Sequence, residues 1–197
     1  MSKLYMNKPQ NKKLIKGFTI VELLVGIAII GILTAIASPS LSQFMVQSRV
    51  DNEVSEIHRL ILAARSSAIN SGRNVTLCPL SGTTCSANWQ NELSVFINSD
   101  NTLANNNSFV SANEELIKVK GKINTGDKLQ FSQNLIIFAP TGRLISGGNG
   151  NFSYCPKGNN DLSRGVEISL SGRIYATSDT DNDGKDENRN GTEVNCS

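Results

Sequence analysis

The chain has 197 residues, a length that fits one domain or slightly more, and its aromatic content of 6% is light for a packed enzyme core. No repeat of about 20 to 50 residues recurs, which excludes a solenoid. The formal net charge of +2 is unevenly distributed: residues 1–17 carry five lysines and no acid, which leaves 14 of the 19 basic residues against all 17 acidic ones. From residue 179 onward, six acids accompany only Lys185 and Arg189.

An apolar segment, residues 18–38, follows the basic leader. Phe18 to Ala37 contains a single charged side chain, Glu22. A helix of this length spans about 30 Å, the thickness of the hydrocarbon core of a bilayer. The lysines predict a cytoplasmic N-terminus and one pass through the membrane, with the rest of the chain outside the cytoplasm. A secretory signal peptide is the alternative, but no small-residue cleavage site follows the apolar run.

The junction KGFTIVEL around Gly17 has a family pattern. A basic leader, Gly, Phe, three residues and Glu resemble the start of type IV pilins and pseudopilins. The resemblance implies that a prepilin peptidase cuts between Gly17 and Phe18, that Phe18 is then N-methylated, and that Pro39 kinks the long helix. It also implies insertion in the inner membrane of a Gram-negative bacterium before incorporation into a pilus.

Glu22 is an isolated carboxylate in this segment. A charge inside a membrane costs on the order of 3 kcal/mol and is usually retained for a partner. We expect the partner to be the N-terminal amine of a neighbouring subunit, and the resemblance implies that other major and minor pilins pack against this helix. The alternative is that Glu22 only marks the helix end at the membrane interface.

Apolar residues recur at three- and four-residue spacing beyond the membrane segment, which predicts an amphipathic helix over residues 39–72 that ends at Gly72. The helix carries the only histidine, His58, for which we expect a surface or packing role. The predicted apolar face consists of Leu41, Phe44, Met45, Ser48, Val54, Ile57, Ile61, Ala64 and Ala68.

Residues 73–197 change to short β-type runs separated by Gly, Asn and Pro, which predicts a β-rich head with an acidic tail from residue 179. The fold class is therefore predicted as α+β, the type IV pilin fold, with a long N-terminal helix packed on an antiparallel sheet. The predicted strands are Val75–Cys78, Leu93–Ile97, Leu116–Lys120, Leu129–Phe131, Leu135–Phe138, Phe152–Cys155, Val166–Leu170 and Arg173–Ala176.

The head resembles the FimT/FimU minor pilins and the GspH-type pseudopilins. The residues that carry this resemblance are Cys78-Pro79, Cys85, Trp89, Val95-Phe96-Ile97, Phe138, Gly142, Phe152, Cys155, Val166, Ile168 and Gly172-Arg173. It implies a structural subunit, not an enzyme, that sits at or near the pilus tip and helps to initiate assembly. A GspH-type pseudopilin of type II secretion is the alternative.

Four cysteines in an exported domain favour disulfides, because the compartment is oxidising. Three pairings are open. The short loop from Cys78 to Cys85 favours local pairing, and Cys155 with Cys196 would then tie the tail to the sheet. A zinc site is the alternative, but neither pair has C-x-x-C spacing.

The tail alternates carboxylates in the manner of oxygen-rich calcium loops. Asp179, Asp181, Asp183 and Asp186 are the candidate ligands, although Asn190 stands where a complete EF-hand loop has glutamate. The alternative is a solvated acidic segment held by Cys196. Calcium is the one cofactor that the sequence suggests.

DNA is a second candidate partner, because FimT-type relatives bind it through a Gly-Arg-x-Arg motif. This chain keeps Arg173 and has Tyr175 in place of the second arginine. Arg143, Arg164 and Arg173 are the candidate phosphate contacts, but the acidic tail opposes them. No nucleophile elbow, phosphate loop or histidine metal motif is present, so neither enzymatic activity nor a small-molecule substrate is expected.

Overall fold

The computed structural model describes residues 17–99 and 107–196, with the backbone alone at residues 37–39. The predicted leader therefore lies outside the described residues except for Gly17. The chain divides into two units, Met1–Ser42 and Gln43–Ser197. The long helix α1 (Ile20–Ser71) begins in the first unit and ends in the second.

Helix α1 ends where the sequence predicts. Gly72 adopts a left-handed conformation with φ of 66°, and its N–H donates to the carbonyl of Ala68 at 3.1 Å. Within the described residues no single helix is long and apolar enough to cross a membrane, whereas the bent pair Ile20–Ile36 and Ser40–Ser71 meets the test by length and composition. Only the backbone is described at the break, so the kink at Pro39 stays a prediction.

The strands of the head pair antiparallel. In the part of the chain that the structure describes there are ten: β1 (Val75–Ser81), β2 (Thr84–Cys85), β3 (Leu93–Ile97), β4 (Glu115–Lys120), β5 (Lys128–Gln130), β6 (Ile136–Phe138), β7 (Leu144–Ser146), β8 (Gly150–Cys155), β9 (Arg164–Ile168) and β10 (Ile174–Ala176). One sheet has the order β4-β3-β1-β6-β7, with β2 paired to β1, and the other has the order β10-β9-β8-β5.

The second half of α1 packs on these sheets, which confirms the predicted α+β pilin fold. Its buried side chains join those of both sheets in one core. Lys120 of β4 is 97% buried and places its Nζ 2.6 Å from a carboxylate oxygen of Glu53 on α1, so an ion pair also joins the helix to the edge strand. The buried helix residues are Val50, Val54, Ile57, Leu60, Ile61, Ala64 and Ala68.

The predicted apolar face extends beyond the part that is buried in this chain. Leu41, Phe44 and Met45 are 58%, 64% and 64% exposed, and the buried face begins at Val50. The spacing of Phe44 and Met45 matches that of the buried residues, but both side chains are exposed. Apolar spacing therefore continues beyond the surface that the head itself buries.

Two short strands, β2 and β7, were not predicted, and β1 is longer than predicted. β1 continues through Pro79, which pairs with Leu93 of β3. The pairing of β1 with β6 is confined to Val75–Leu77, so the missing N–H of Pro79 interrupts no bond on that side.

Candidate functional site

The first candidate site is the exposed apolar surface of α1 between Phe18 and Ile36. Every large apolar side chain in this range is at least 52% exposed, and Phe18 is 85% exposed. A continuous surface of this kind exceeds what a monomeric soluble protein ordinarily presents to water. Lipid or other apolar helices would cover a surface of this length and composition.

Glu22 lies in this surface and caps its own helix. Its carboxylate accepts hydrogen bonds from Thr19 N at 3.3 Å and from Thr19 Oγ1 at 3.4 Å, while Glu22 N donates to Thr19 Oγ1 at 3.2 Å. This reciprocal pair is a capping box, and it places a negative charge at the positive end of the helix dipole. The role of Thr19 was not predicted, although the Thr-x-x-Glu spacing is typical of a capping box.

The structure joins Cys78 to Cys85 and Cys155 to Cys196. The first disulfide lies between β1 and β2, and its partners are separated by 7 residues. The second ties the end of the described chain to β8 across 41 residues. The second disulfide therefore fixes one end of the acidic tail.

The second candidate site is the acidic loop, residues 179–187. Its ends are joined by pairing of Ser178 with Glu187. Asp179 organises the loop, because its two carboxylate oxygens accept from the backbone N–H groups of Asn182 at 2.7 Å and Gly184 at 3.0 Å. The loop is thus folded by its own carboxylates, while Asp179, Asp181 and Asp183 stay exposed to solvent.

Asp186, one of the predicted ligands, is not a member of the carboxylate group that the structure forms. Its side chain is 2% exposed and accepts from Thr177 Oγ1 at 2.8 Å and from the guanidinium of Arg164. Glu187 takes its place: carboxylate oxygens of Asp179, Asp181, Asp183 and Glu187 all lie within 4.8 Å of one another. Neighbouring side chains of an extended segment point in opposite directions, which separates residue 186 from residue 187.

Arg164, a predicted DNA contact, forms ion pairs within the chain instead. Its Nε lies 2.7 Å from a carboxylate oxygen of Asp51 on α1, and its Nη1 contacts Asp186. Arg143 and Arg173 are exposed. A guanidinium held between two carboxylates has little charge left for a phosphate, so the structure does not support Arg164 as a member of a phosphate-binding patch.

A buried polar cluster lies beneath the tail. Asp127, 2% exposed, accepts from the Tyr154 hydroxyl at 2.6 Å, from Arg49 Nη2 at 3.2 Å and from Lys157 N at 2.9 Å. Burial, together with the bond to Asp127, raises the pKa of Tyr154 above its ordinary value. Because the backbone N–H of Lys157 is bonded in this cluster, the cluster holds the segment after β8 against the head.

Two family models match the chain. One, described as a prokaryotic N-terminal methylation motif, matches residues 12–38, and the other, described as type II transport protein GspH, matches residues 53–172. The solved type IV minor pilin FimU of Pseudomonas aeruginosa has a TM-score of 0.52 at 19% identity, over 68% of this chain and 92% of that one. That likeness shows the fold.

Curated relatives match shorter segments. A fimbrial protein of Pseudomonas aeruginosa is 45% identical over 60 residues, which are 30% of this chain and 38% of that protein. The type IV major fimbrial protein FimA of Dichelobacter nodosus is 49% identical over 45 residues, 23% of this chain and 29% of that protein. The chain thus matches well under half the length of these relatives. Because the GspH model spans more than half of the chain, the chain belongs to the GspH family of type IV pilin-like proteins.

Proposed function

We propose that the chain is a minor subunit of a type IV pilus, and that it helps to initiate assembly at or near the tip. The observation that carries this proposal is the exposed apolar helix with its single carboxylate, Glu22, directly after the Gly17-Phe18 junction. Sister helices would cover the apolar surface, as they do in helix bundles within membranes. The methylation motif at residues 12–38 and the fimbrial relatives support the same function.

The proposed route to the filament starts in the inner membrane. The five lysines of residues 1–17 hold the N-terminus in the cytoplasm, and prepilin peptidase removes them by cutting between Gly17 and Phe18. Removal exposes a new amine at Phe18, four residues before Glu22. That amine carries one positive charge and offers a cation to the Glu22 carboxylate of an adjacent subunit.

A pseudopilin of type II secretion is the second candidate, favoured by the GspH model over residues 53–172. Both functions use the same helix surface, so they differ in the identity of the neighbouring subunits. Identification of the pilins that copurify after mild detergent extraction distinguishes them. Recovery of type IV pilins supports the first function, and recovery of secretion pseudopilins supports the second.

The assembly proposal is tested by removing the charge of Glu22. Glu22→Gln keeps the side-chain volume and an acceptor for Thr19 but cannot attract an amine as an ion pair. We expect wild-type amounts of the variant in the membrane and a strong loss from sheared filaments. Glu92→Gln, an exposed change in the head, is the matched control. Equal incorporation of Glu22→Gln and wild type would refute the role of Glu22.

DNA binding stays a prediction for Arg143 and Arg173. The acidic loop and the pairing of Arg164 oppose it. A salt-dependent gel shift of the full chain that disappears with Arg173→Gln would establish it. We expect no shift at physiological salt.

A further inference from the structure

Glu187 has a buried carboxylate oxygen that the protein leaves unpaired. The residue is 5% exposed. Its Oε2 accepts from Thr180 N and from Thr180 Oγ1, both at 2.7 Å. Its Oε1 has no hydrogen-bond partner among the residues that the structure describes. A buried anionic oxygen without a partner is costly, and its presence indicates that a ligand supplies the missing contact.

The acidic neighbours of Glu187 indicate that this ligand is a cation. Its carboxylate belongs to the group with Asp179, Asp181 and Asp183, whose oxygens lie within 4.8 Å of one another. Lys185 supplies one positive charge at the edge of the group and shares it with Glu193: its Nζ is 3.0 Å from Glu193 Oε2 and 3.9 Å from Asp183 Oδ2. Four carboxylates at this spacing require a cation of higher charge.

The donor atoms identify the kind of cation. The group consists of oxygen donors without sulfur or imidazole nitrogen, which suits a hard ion rather than zinc or copper. Calcium bonds of about 2.3–2.6 Å hold opposite oxygens about 4.6–5.2 Å apart, whereas magnesium bonds of about 2.0–2.1 Å require about 4.0–4.2 Å and octahedral geometry. The oxygens of this group lie within 4.8 Å of one another, and that limit falls in the range for oxygens on opposite sides of a calcium ion.

We propose that Asp179, Asp181, Asp183 and Glu187 bind one Ca²⁺, with Glu187 Oε1 as the buried ligand. This site differs from the sequence prediction by the exchange of Asp186 for Glu187. Glu187 and Asp186 then have different partners. Glu187 binds the ion from inside the loop, and Asp186 binds Arg164, which in turn contacts Asp51 on α1.

Calcium bound in this way would stabilise the tail at the end opposite to its disulfide. The backbone of Glu187 pairs with Ser178 and bridges to Glu193. The adjacent carbonyl of Asp186 accepts from Val194 N at 2.8 Å. Fixing Glu187 therefore fixes the segment that leads to Cys196. The proposal does not depend on the assembly function, because its residues lie outside the apolar surface of α1.

The test is calorimetric titration of CaCl₂ into the full chain, purified in detergent and stripped of metal with a chelator. We expect one saturable site with a Kd at or below roughly 10⁻³ M, the range of extracellular calcium modules, and a rise in Tm with calcium. Glu187→Gln should weaken binding by about tenfold or more, since affinity follows ligand charge. Asp181→Asn should do the same from an exposed position, because the asparagine keeps an oxygen that can accept from Asp183 N.

Asp161→Asn removes an exposed carboxylate outside the group and should bind calcium as wild type does. Absence of saturable binding up to about 10 mM, ten times the weak limit of extracellular modules, would overturn the proposal. So would equal affinity of wild type and Glu187→Gln, or equal affinity for Mg²⁺ and Ca²⁺, which would indicate screening of surface acids. None of these results would bear on filament incorporation, which Glu22→Gln tests separately.

Discussion

The Cys155–Cys196 disulfide closes a longer segment than the Cys78–Cys85 disulfide, and the two should contribute unequally to stability. The paired residues are 41 and 7 positions apart. A cross-link restricts the unfolded chain by an amount that grows with the logarithm of the closed loop. That relation gives about 4 kcal/mol for the long loop and about 2.4 kcal/mol for the short one at 25 °C.

Two double variants measure this difference. Cys155→Ser with Cys196→Ser removes the long link, and Cys78→Ser with Cys85→Ser removes the short one, so neither variant carries an unpaired thiol from a broken link. Trp89 is the only tryptophan and is 1% exposed in the head core, so its fluorescence follows unfolding of the head in urea. The full chain in detergent is the sample for all three proteins.

We expect the long-link variant to lose about 1.5 kcal/mol more than the short-link variant in the free energy of unfolding. Equal losses of unfolding free energy, or a larger loss for the short link, would contradict the predicted dependence on loop length. Peptide mapping without reduction is the accompanying check. A peptide that joins Cys78 to Cys155 would contradict the pairing itself.

Three further substitutions, one of them a control at exposed Gly148, test the head by the same urea assay. Gly172→Ala should lower the free energy of unfolding by about 2–4 kcal/mol, because φ is 76° and a Cβ would lie 1.9 Å from the carbonyl oxygen of Gly142. Gly148→Ala is the control: φ is 64° but no atom lies near the added Cβ, so the loss should be only about 1 kcal/mol. Tyr154→Phe should lose about 1–3 kcal/mol, because buried Asp127 loses a donor. The raised pKa of Tyr154 also predicts that wild-type stability falls above pH 10.0, where only the unfolded chain releases this proton, and that Tyr154→Phe reduces the fall. Similar losses for both glycine variants, or an unchanged pH profile for Tyr154→Phe, would contradict these accounts.

Periodicity predicted which helix residues share a face but not what covers that face. Val54, Ile57 and Ile61 are buried as predicted, because the sheets lie against them. Leu41 and Phe44 continue the apolar spacing and are exposed. The distinction depends on where the head ends, and the sequence of the helix does not contain that information.

The acidic loop shows a similar limit. The alternation of Asp179, Asp181 and Asp183 was readable as a cation-binding pattern. The choice between Asp186 and Glu187 depended on Arg164, 22 positions before Asp186 in the chain, which attracts one carboxylate and leaves the other to the loop. Contacts over such separations are set by strand pairing, whereas local spacing predicts only neighbours.

Mass spectrometry of sheared surface filaments shows whether this chain becomes a processed subunit of a filament. We expect a mature chain that begins at N-methylated Phe18, without residues 1–17, in the filament fraction. Absence of the chain from filaments, or recovery there with Met1 and the leader intact, would contradict it.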